Sequence, residues 1–271
     1  ASNIGASLSG GFPVAGGFSR SIVNFEAGAE TPAAGAFAAV GIALVTLFLT
    51  PLLYYLPSAV LGATILVAVL SMINFKAVVK TYAYSPSDAI AMALTIILTL
   101  TLGVIIGLIA GIGTSLMMYL YRTSRPHMAI IGQVPGTQHF RNVKRQQVVT
   151  AAQIVSARID ESLYFPNARF LENKVSEITV SNPEVKHFIL SCSAVNSIDA
   201  SGLESLKSIN QRLKDAGILF HLSEVKGPIM DGLKKTGFYQ ENKERIHFTH
   251  YAAIESIDPA LAKGTMEQTI K

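Results

Sequence analysis

A single cysteine, Cys192, in 271 residues excludes an internal disulfide and fits a reducing compartment. Charge is scarce too. Only 15% of residues are charged, where soluble domains average nearer ~25%. The shortage is local: residues 1–121 hold Arg20, Lys76 and Lys80 against Glu26, Glu30 and Asp88, so the net charge of +4 belongs to the remainder. Two domains in different solvents follow, a membrane part and a water-soluble part. No Gly-x-x-x-x-Gly-Lys-Ser/Thr phosphate loop is present, so ATP-driven transport has no engine in this chain. All six histidines fall after residue 121, and the one close pair, His247 and His250, has no Cys, Asp or Glu at ligand spacing. No nucleophile-elbow sequence occurs either. No enzyme, no metal and no cofactor is expected. The pI near 9.1 comes without a basic-aromatic motif, so no nucleic-acid partner is expected.

What is present is a run of helix-breaking residues inside apolar sequence, Gly10-Gly11-Phe12-Pro13-Val14-Ala15-Gly16-Gly17-Phe18-Ser19-Arg20-Ser21. Such residues are tolerated at membrane depth only where the backbone is buried in protein or lines a cavity. The reading is a broken membrane element: an extended piece at Phe12 to Ala15, a turn at Gly16-Gly17, and a helix from Ser19 to about Ala27. The free N–H groups and positive dipole end of that helix favour an anion. Arg20, the one basic residue in the first 75 positions, adds a full charge there. Asn24, one turn on, is placed to orient it. The bland alternative is a glycine-rich loop at a membrane surface with a snorkelling Arg.

Before it, Ala1 to Ser9 reads as the tail of a membrane helix. Thr31-Pro32 is a helix start, a hydroxyl cap before a proline at the first helical position. The apolar run Ala33 to Tyr55 is long enough to span roughly 30 Å of hydrocarbon, with Tyr54 and Tyr55 at its interface. A second span is expected over Ser58 to Phe75, with Lys76 and Lys80 in a polar connection. Ser85 caps a further helix, with Asp88 as the acid of a capping box. Ala89 to Tyr121 is too long for one span and is split near Leu102-Gly103. Gly103, Gly107 and Gly111 then form a smooth strip for close helix packing. Lys76, Lys80, Arg122 and Arg125 place one side in the cytoplasm.

Past Pro126 the pattern alternates. Strands are expected over Met128 to Val134, Gln153 to Ile159, Leu163 to Phe165, His187 to Cys192 and Ile218 to Leu222, with Arg141 to Gln147 as a solvated loop. Helices are expected over Asn167 to Val180, along Leu203, Leu206, Ile209 and Leu213 with Gly217 as C-cap, and over Pro228 to Thr236, stopped by Gly237. This is a soluble α/β sheet domain of roughly 130 residues behind a multi-span α-helical membrane domain. In Asp199-Ala200-Ser201-Gly202-Leu203, either Asp199 or Ser201 caps the helix that follows.

Phe-Pro-x-x-Gly-x-Phe-Ser-Arg-Ser-x-x-Asn, followed by Gly-Ala-x-Thr-Pro-x-x-Gly from Gly28 to Gly35, resembles the SulP family of anion permeases. That family includes sulfate permeases, bacterial bicarbonate and dicarboxylate transporters, and the animal motor protein prestin. Asp199 to Leu203 is similar to the signature loop of STAS domains, which close SulP chains. The resemblance implies half of a 7+7 inverted-repeat transporter fold, with a broken strand–helix element, ahead of a cytoplasmic STAS domain. It assigns substrate binding to Ser19 and Arg20, with the backbone at Gly17 and Phe18. It makes Asp199 and Ser201 candidate regulatory residues, because the serine matched by Ser201 is phosphorylated in anti-sigma-factor antagonists. The expected domains are 1–125 (C-terminal part of the membrane domain), 126–148 (linker and first STAS strand), 149–258 (STAS core) and 259–271 (C-terminal tail). The chain begins with Ala, mid-pattern, and is expected to be a fragment lacking the N-terminal half.

The leading function is secondary transport of a small anion of sulfate, bicarbonate or dicarboxylate type by an elevator-like motion. Expected partners are the lipid bilayer, co-transported H⁺ or Na⁺, a second copy in a homodimer and a cytoplasmic protein at the STAS domain. The expected location is a multi-pass plasma-membrane or bacterial inner-membrane protein. The rival is a membrane-anchored STAS interaction module switched at Ser201. A nucleobase permease is a narrower rival, and both the STAS loop and the Phe-Ser-Arg-Ser sequence count against it.

Overall fold

The computed structural model describes residues 2–8, 10, 12, 24, 27–53, 57–60, 62–63 and 75–267. The expected extended piece and Gly16-Gly17 turn, the start of the helix at Ser19, and most of the expected second span lie outside the described residues. The chain divides into two units, residues 1–79 and 80–271.

In the first unit, α1 (Ser2–Leu8) is followed by α2 (Ala33–Phe48) and α3 (Thr50–Leu53). The expected start is found, but by backbone rather than hydroxyl: Pro32 is already helical, with no side-chain cap, and the Thr31 carbonyl accepts from Ala34 N–H. No residue of α2 is buried, and Phe37, Val40, Ile42 and Leu47 are exposed. A helix apolar all round suits a hydrocarbon solvent. The single span expected over Ala33 to Tyr55 is broken at Leu49, whose backbone leaves the helical region at φ −108°, ψ 3°. Pro51 contributes to the break, because it has no N–H to give the Leu47 carbonyl.

α4 (Phe75–Tyr84) corrects the polar connection expected around Lys76 and Lys80. The two lysines lie one turn apart on one face, and Phe75, Val78, Val79 and Tyr82 keep the helical period, so polarity at two positions did not end the helix. Ser85 caps α5 (Pro86–Leu102) as expected, its hydroxyl accepting from Asp88 N–H at 3.4 Å. The reciprocal bond of a capping box is not made, because Ser85 N–H donates to the Thr81 carbonyl instead. Gly103, at φ +95°, turns the chain into α6 (Val104–Ser124). α6 has 21 residues and a mean hydropathy of 1.9, enough to cross a bilayer by length and composition. The expected glycine strip is borne out at two of its three positions, since Gly103 lies in the turn with open space around it. Gly107 and Gly111 are buried against Thr99 and Thr95 of the antiparallel α5. That register sets Arg122 and Arg125 beside the start of α5.

The soluble domain is one six-stranded sheet in the order β2-β1-β3-β4-β5-β6. The strands are β1 (Met128–Gln133), β2 (Phe140–Asn142), β3 (Ile154–Ile159), β4 (His187–Ser191), β5 (Leu219–Ser223) and β6 (Ile246–His247). β3 to β6 run parallel, and β1 is antiparallel to both its neighbours. The alternation of each strand divides two cores. Val155, Ala157, Ile159, Phe188, Leu190, Phe220 and Leu222 face α7 (Ala168–Val180), α8 (Ala200–Asp215), α9 (Gly227–Leu233) and α10 (Gly237–Asn242). Ile154 and Ile189 face α11 (His250–Ile257) and α12 (Pro259–Glu267). Within α12, Ala262 and Thr265 are buried, and Gly136 N–H donates to the Thr265 carbonyl.

Three local expectations are corrected. Leu163 makes only an isolated bridge to Ile198, so no strand forms over Leu163 to Phe165. Phe140–Asn142, at the edge of the expected Arg141 to Gln147 loop, pairs with β1 as β2. Gly237 does not stop a helix but opens α10, with Thr236 extended in front of it.

Candidate functional site

Gly17, Phe18, Ser19 and Arg20 lie outside the described residues. What is described nearby is Asn24 and the residues from Ala27 onward. Asn24 is helical, Gly28 sits at φ +82°, and Ala29 N–H donates to the Asn24 carbonyl at 2.9 Å. A six-to-one bond over a left-handed glycine is Schellman closure. The helix therefore ends near Ala27, where the sequence placed it.

The other sequence-predicted pair, Asp199 and Ser201, sits where β4 hands over to α8. Asp199 is the cap: its Oδ1 accepts from Gly202 N–H at 2.7 Å, and its Oδ2 accepts from Phe165 N–H at 3.0 Å. Asp199 N–H in turn donates to the Leu163 carbonyl at 3.0 Å. Gly202 is pressed against that same carbonyl, which a Cβ would meet at 2.6 Å, so a side chain there has no room. Ser201 is exposed in the first turn of α8 and makes no described capping bond. A groove of about 300 Å³ lies beside this helix start, lined by Asn196, Asp199, Leu203, Ile229 and Thr236. Removing a cap costs about 0.5–2 kcal/mol. Asp199→Ala is expected to cost that much in urea unfolding of the chain in detergent, and Ser201→Ala close to nothing; equal costs would overturn the assignment of the cap.

The histidines arrange themselves in a way sequence spacing did not reveal. His250 is not His247's partner. Its ring is buried between two hydroxyls, Nδ1 at 2.8 Å from Ser223 Oγ and Nε2 at 2.8 Å from Ser156 Oγ, with Phe140 edge-on at 4.4 Å. His247 instead ends a row across three strands. His187 Nδ1 lies 3.1 Å from His221 Nε2, and His221 Nδ1 lies 3.2 Å from His247 Nε2. Three neutral rings satisfy both bonds, His221 donating through one nitrogen and accepting through the other. The row was hidden because its members come from strands about 30 residues apart; the only signal was a histidine in each of the three strands. Among the described residues no group of His, Cys, Asp and Glu is arranged to hold a metal.

Burial drives the electrostatics here. It pushes His221 down to about 3, reinforced by the neighbouring His247, His187 and Arg245 charges, and His250 down to about 3, reinforced by His247. His187 and His247 are lowered as well, first by burial. An unfolded histidine takes its proton near ~6.5. The unfolded chain thus binds more protons below that pH, and stability is lost as pH falls from about 6.5 toward 3. The unfolding midpoint of the sheet domain is expected to drop between pH 7 and pH ~5, with a shallower slope in His250→Gln. An unchanged slope would contradict the buried-neutral reading of His250.

Comparison with known proteins places these features. The sequence profile described as "Sulfate permease family" matches residues 1–95, and that of the STAS domain matches residues 145–253. Probable sulfate transporter 4.2 of Arabidopsis thaliana is 30% identical over 249 residues, covering 88% of this chain and 37% of that protein. Sulfate transporter 1.3 of the same plant is 28% identical over 273 residues, covering 97% and 42%. The inward-facing structure of the murine Solute Carrier 26 family member A9 anion transporter superposes with a TM-score of 0.71 at 19% identity, covering 88% of this chain and 39% of that one. The chain thus spans about two fifths of the length of these relatives.

Proposed function

This chain belongs to the sulfate permease family of integral membrane proteins, as part of the membrane domain followed by a STAS domain, and we propose that the complete protein is a secondary transporter of small anions. The observation that carries this reading is the Phe18-Ser19-Arg20-Ser21 sequence, read as a helix start, inside a segment matched to the sulfate permease family. The anion lies at that start, held by the backbone N–H groups of Gly17 and Phe18, the Ser19 hydroxyl and the Arg20 guanidinium. The opposing half-helix, and any acidic residue coupling H⁺ or Na⁺, come from the other inverted repeat. The core carrying the site moves in elevator fashion against a gate. Sulfate is the first candidate substrate, since the relatives that match are named sulfate transporters; bicarbonate and dicarboxylates share the chemistry a helix start and one Arg recognise.

Lys76, Lys80, Arg122 and Arg125 support a cytoplasmic STAS domain. That domain regulates transport through the exposed Ser201 beside the Asp199 cap, and the working unit is a homodimer. The test is uptake of labelled sulfate, bicarbonate, chloride and a dicarboxylate into proteoliposomes holding the complete protein, with and without imposed H⁺ and Na⁺ gradients. Saturable uptake of one anion is expected. No uptake of any of them by folded protein would overturn the transport reading.

A further inference from the structure

One buried side chain hydrogen-bonds the last apolar helix to the STAS domain. A helix leaves its final carbonyls without partners, and at a bilayer surface water ordinarily takes them. At the end of α6 one is taken by protein instead. Asn167 Nδ2 donates to the Thr123 carbonyl at 3.2 Å, across 44 residues of sequence. The same amide group donates to the Ser162 carbonyl at 2.8 Å, and Asn167 Oδ1 accepts from Tyr164 N–H at 3.1 Å. Asn167 is fully buried and Thr123 nearly so, which makes an unmade bond here costly. Two of these three bonds fix the loop before α7, and the third fixes α6 to that loop.

The loop leads onward. Phe165, one residue past Tyr164, donates its N–H to Asp199 Oδ2, and Asp199 Oδ1 caps α8 by accepting from Gly202 N–H, next to Ser201. A second strut lies alongside. His127 Nδ1 is 2.8 Å from Asp160 Oδ2, Arg158 Nε donates to Asp160 Oδ1 at 2.6 Å, and Asp160 N–H donates to the His127 carbonyl. That strut holds the strand after α6 but touches neither Thr123 nor the α8 cap. Among the described hydrogen bonds, the Asn167 route joins both.

We propose that Asn167 is the positioning residue that fixes the STAS domain to the end of α6, so that a change at the Asp199–Ser201 helix start reaches the membrane helix through Phe165, Tyr164 and Asn167. The inference deepens the regulatory part of the proposed function and rests on that reading for its biological use. Its geometry does not depend on what is transported. The path runs through two side chains, Asn167 and Asp199, joined by the Tyr164–Phe165 peptide; substitution removes each side-chain link, while the Asp199 N–H bond to the Leu163 carbonyl stays.

The test is a spin-label distance in the complete permease, between an α6 residue two turns before the junction, Met117, and Lys207 on α8, both exposed. The parent is expected to give a single narrow distance peak. Asn167→Ala is expected to lose it in favour of a broad distribution, while hydrogen exchange in β4 stays protected. Asp199→Ala is expected to broaden the peak too, and to add nothing in the Asn167→Ala background. A narrow peak in Asn167→Ala, or additive broadening in the double variant, would overturn the proposal. Should Asn167→Ala expose β4 to exchange, Asp199→Ala alone decides, since it leaves Asn167 in place; a narrow peak there is the contrary result. The readout is a distance and not uptake, so failure of the anion site and failure of this coupling are separately visible.

Discussion

Replacing Arg20 by Glu in the complete permease is expected to bring anion uptake down to background without unfolding the protein. Two unit charges about 4 Å apart interact by roughly 4 kcal/mol at the effective dielectric near a protein surface, and the substitution reverses the sign of that interaction. The loss cannot be assigned to a broken helix. A carboxylate near a helix N-terminus suits the macrodipole, by about 0.3–1 kcal/mol, so the scaffold tolerates Glu where the anion does not. Arg20→Lys keeps the charge but not the fork of donors that fits an oxyanion, and is expected to retain part of the uptake with a raised KM. Labelled-anion uptake at several concentrations separates these outcomes. Uptake by Arg20→Glu within about twofold of the parent would remove Arg20 from the site.

The second large effect belongs to the α5–α6 hairpin. Gly107→Val is expected to abolish a folded hairpin, and Gly111→Ala to be milder. The difference is what each new side chain meets. A Cβ at Gly107 collides with Thr99 Oγ1 and also lies 2.6 Å from Thr99 N and 2.7 Å from its Cα, which are backbone and cannot rotate away. A Cβ at Gly111 collides with Thr95 Oγ1, but its other neighbours are Thr95 side-chain carbons at 3.2 Å, and a threonine can change rotamer. The second escape has its own cost, since Thr95 Oγ1 now donates to the Ala91 carbonyl at 2.7 Å. Overpacking of this kind costs about 1–3 kcal/mol and occasionally more. In a bilayer, where contact between small residues is the main source of helix association, no hydrophobic term compensates. Thermal unfolding in detergent and folded yield should rank parent, Gly111→Ala, Gly107→Val; equal values for the two variants would contradict the packing account.

The hairpin also shows what sequence discloses. Gly107 and Gly111 were legible because glycine at a fixed spacing has few structural uses in an apolar run; Gly103 shares the spacing but serves the turn. Ser85 and Gly217 were legible because caps depend on local chemistry, and Gly217 does sit at φ +73° behind α8; the α8 cap was narrowed to Asp199 or Ser201, and the structure chooses Asp199. Pro51 was present in the sequence and outweighed by hydropathy, and it contributes to the break in the expected span. β2 and β6, three and two residues long, carry no period to detect; they are strands because β1 and β5 offer them an edge. Asn167 was visible only as a helix start, and nothing local points to a carbonyl 44 residues earlier. The histidine row is likewise a product of strand order. The anion site is the reverse case: its motif is plain in the residues from Gly17 to Arg20, which lie outside the described residues, while the structure describes a helix end at Asn24 and Gly28.

The central claim is that an anion rests at the Ser19–Arg20 helix start, and cysteine protection tests it most directly. Cys192, the one native cysteine of this chain, is fully buried, and burial followed by the Glu224 charge pushes its thiol up to about 12, so it gives no background. Ser19→Cys in the complete permease, with any cysteines of the N-terminal half removed, is labelled by a small thiol reagent in proteoliposomes. The expected result is labelling slowed by the transported anion, half-maximal near the concentration that half-saturates uptake. Labelling at the same rate with and without a saturating transported anion would contradict the account.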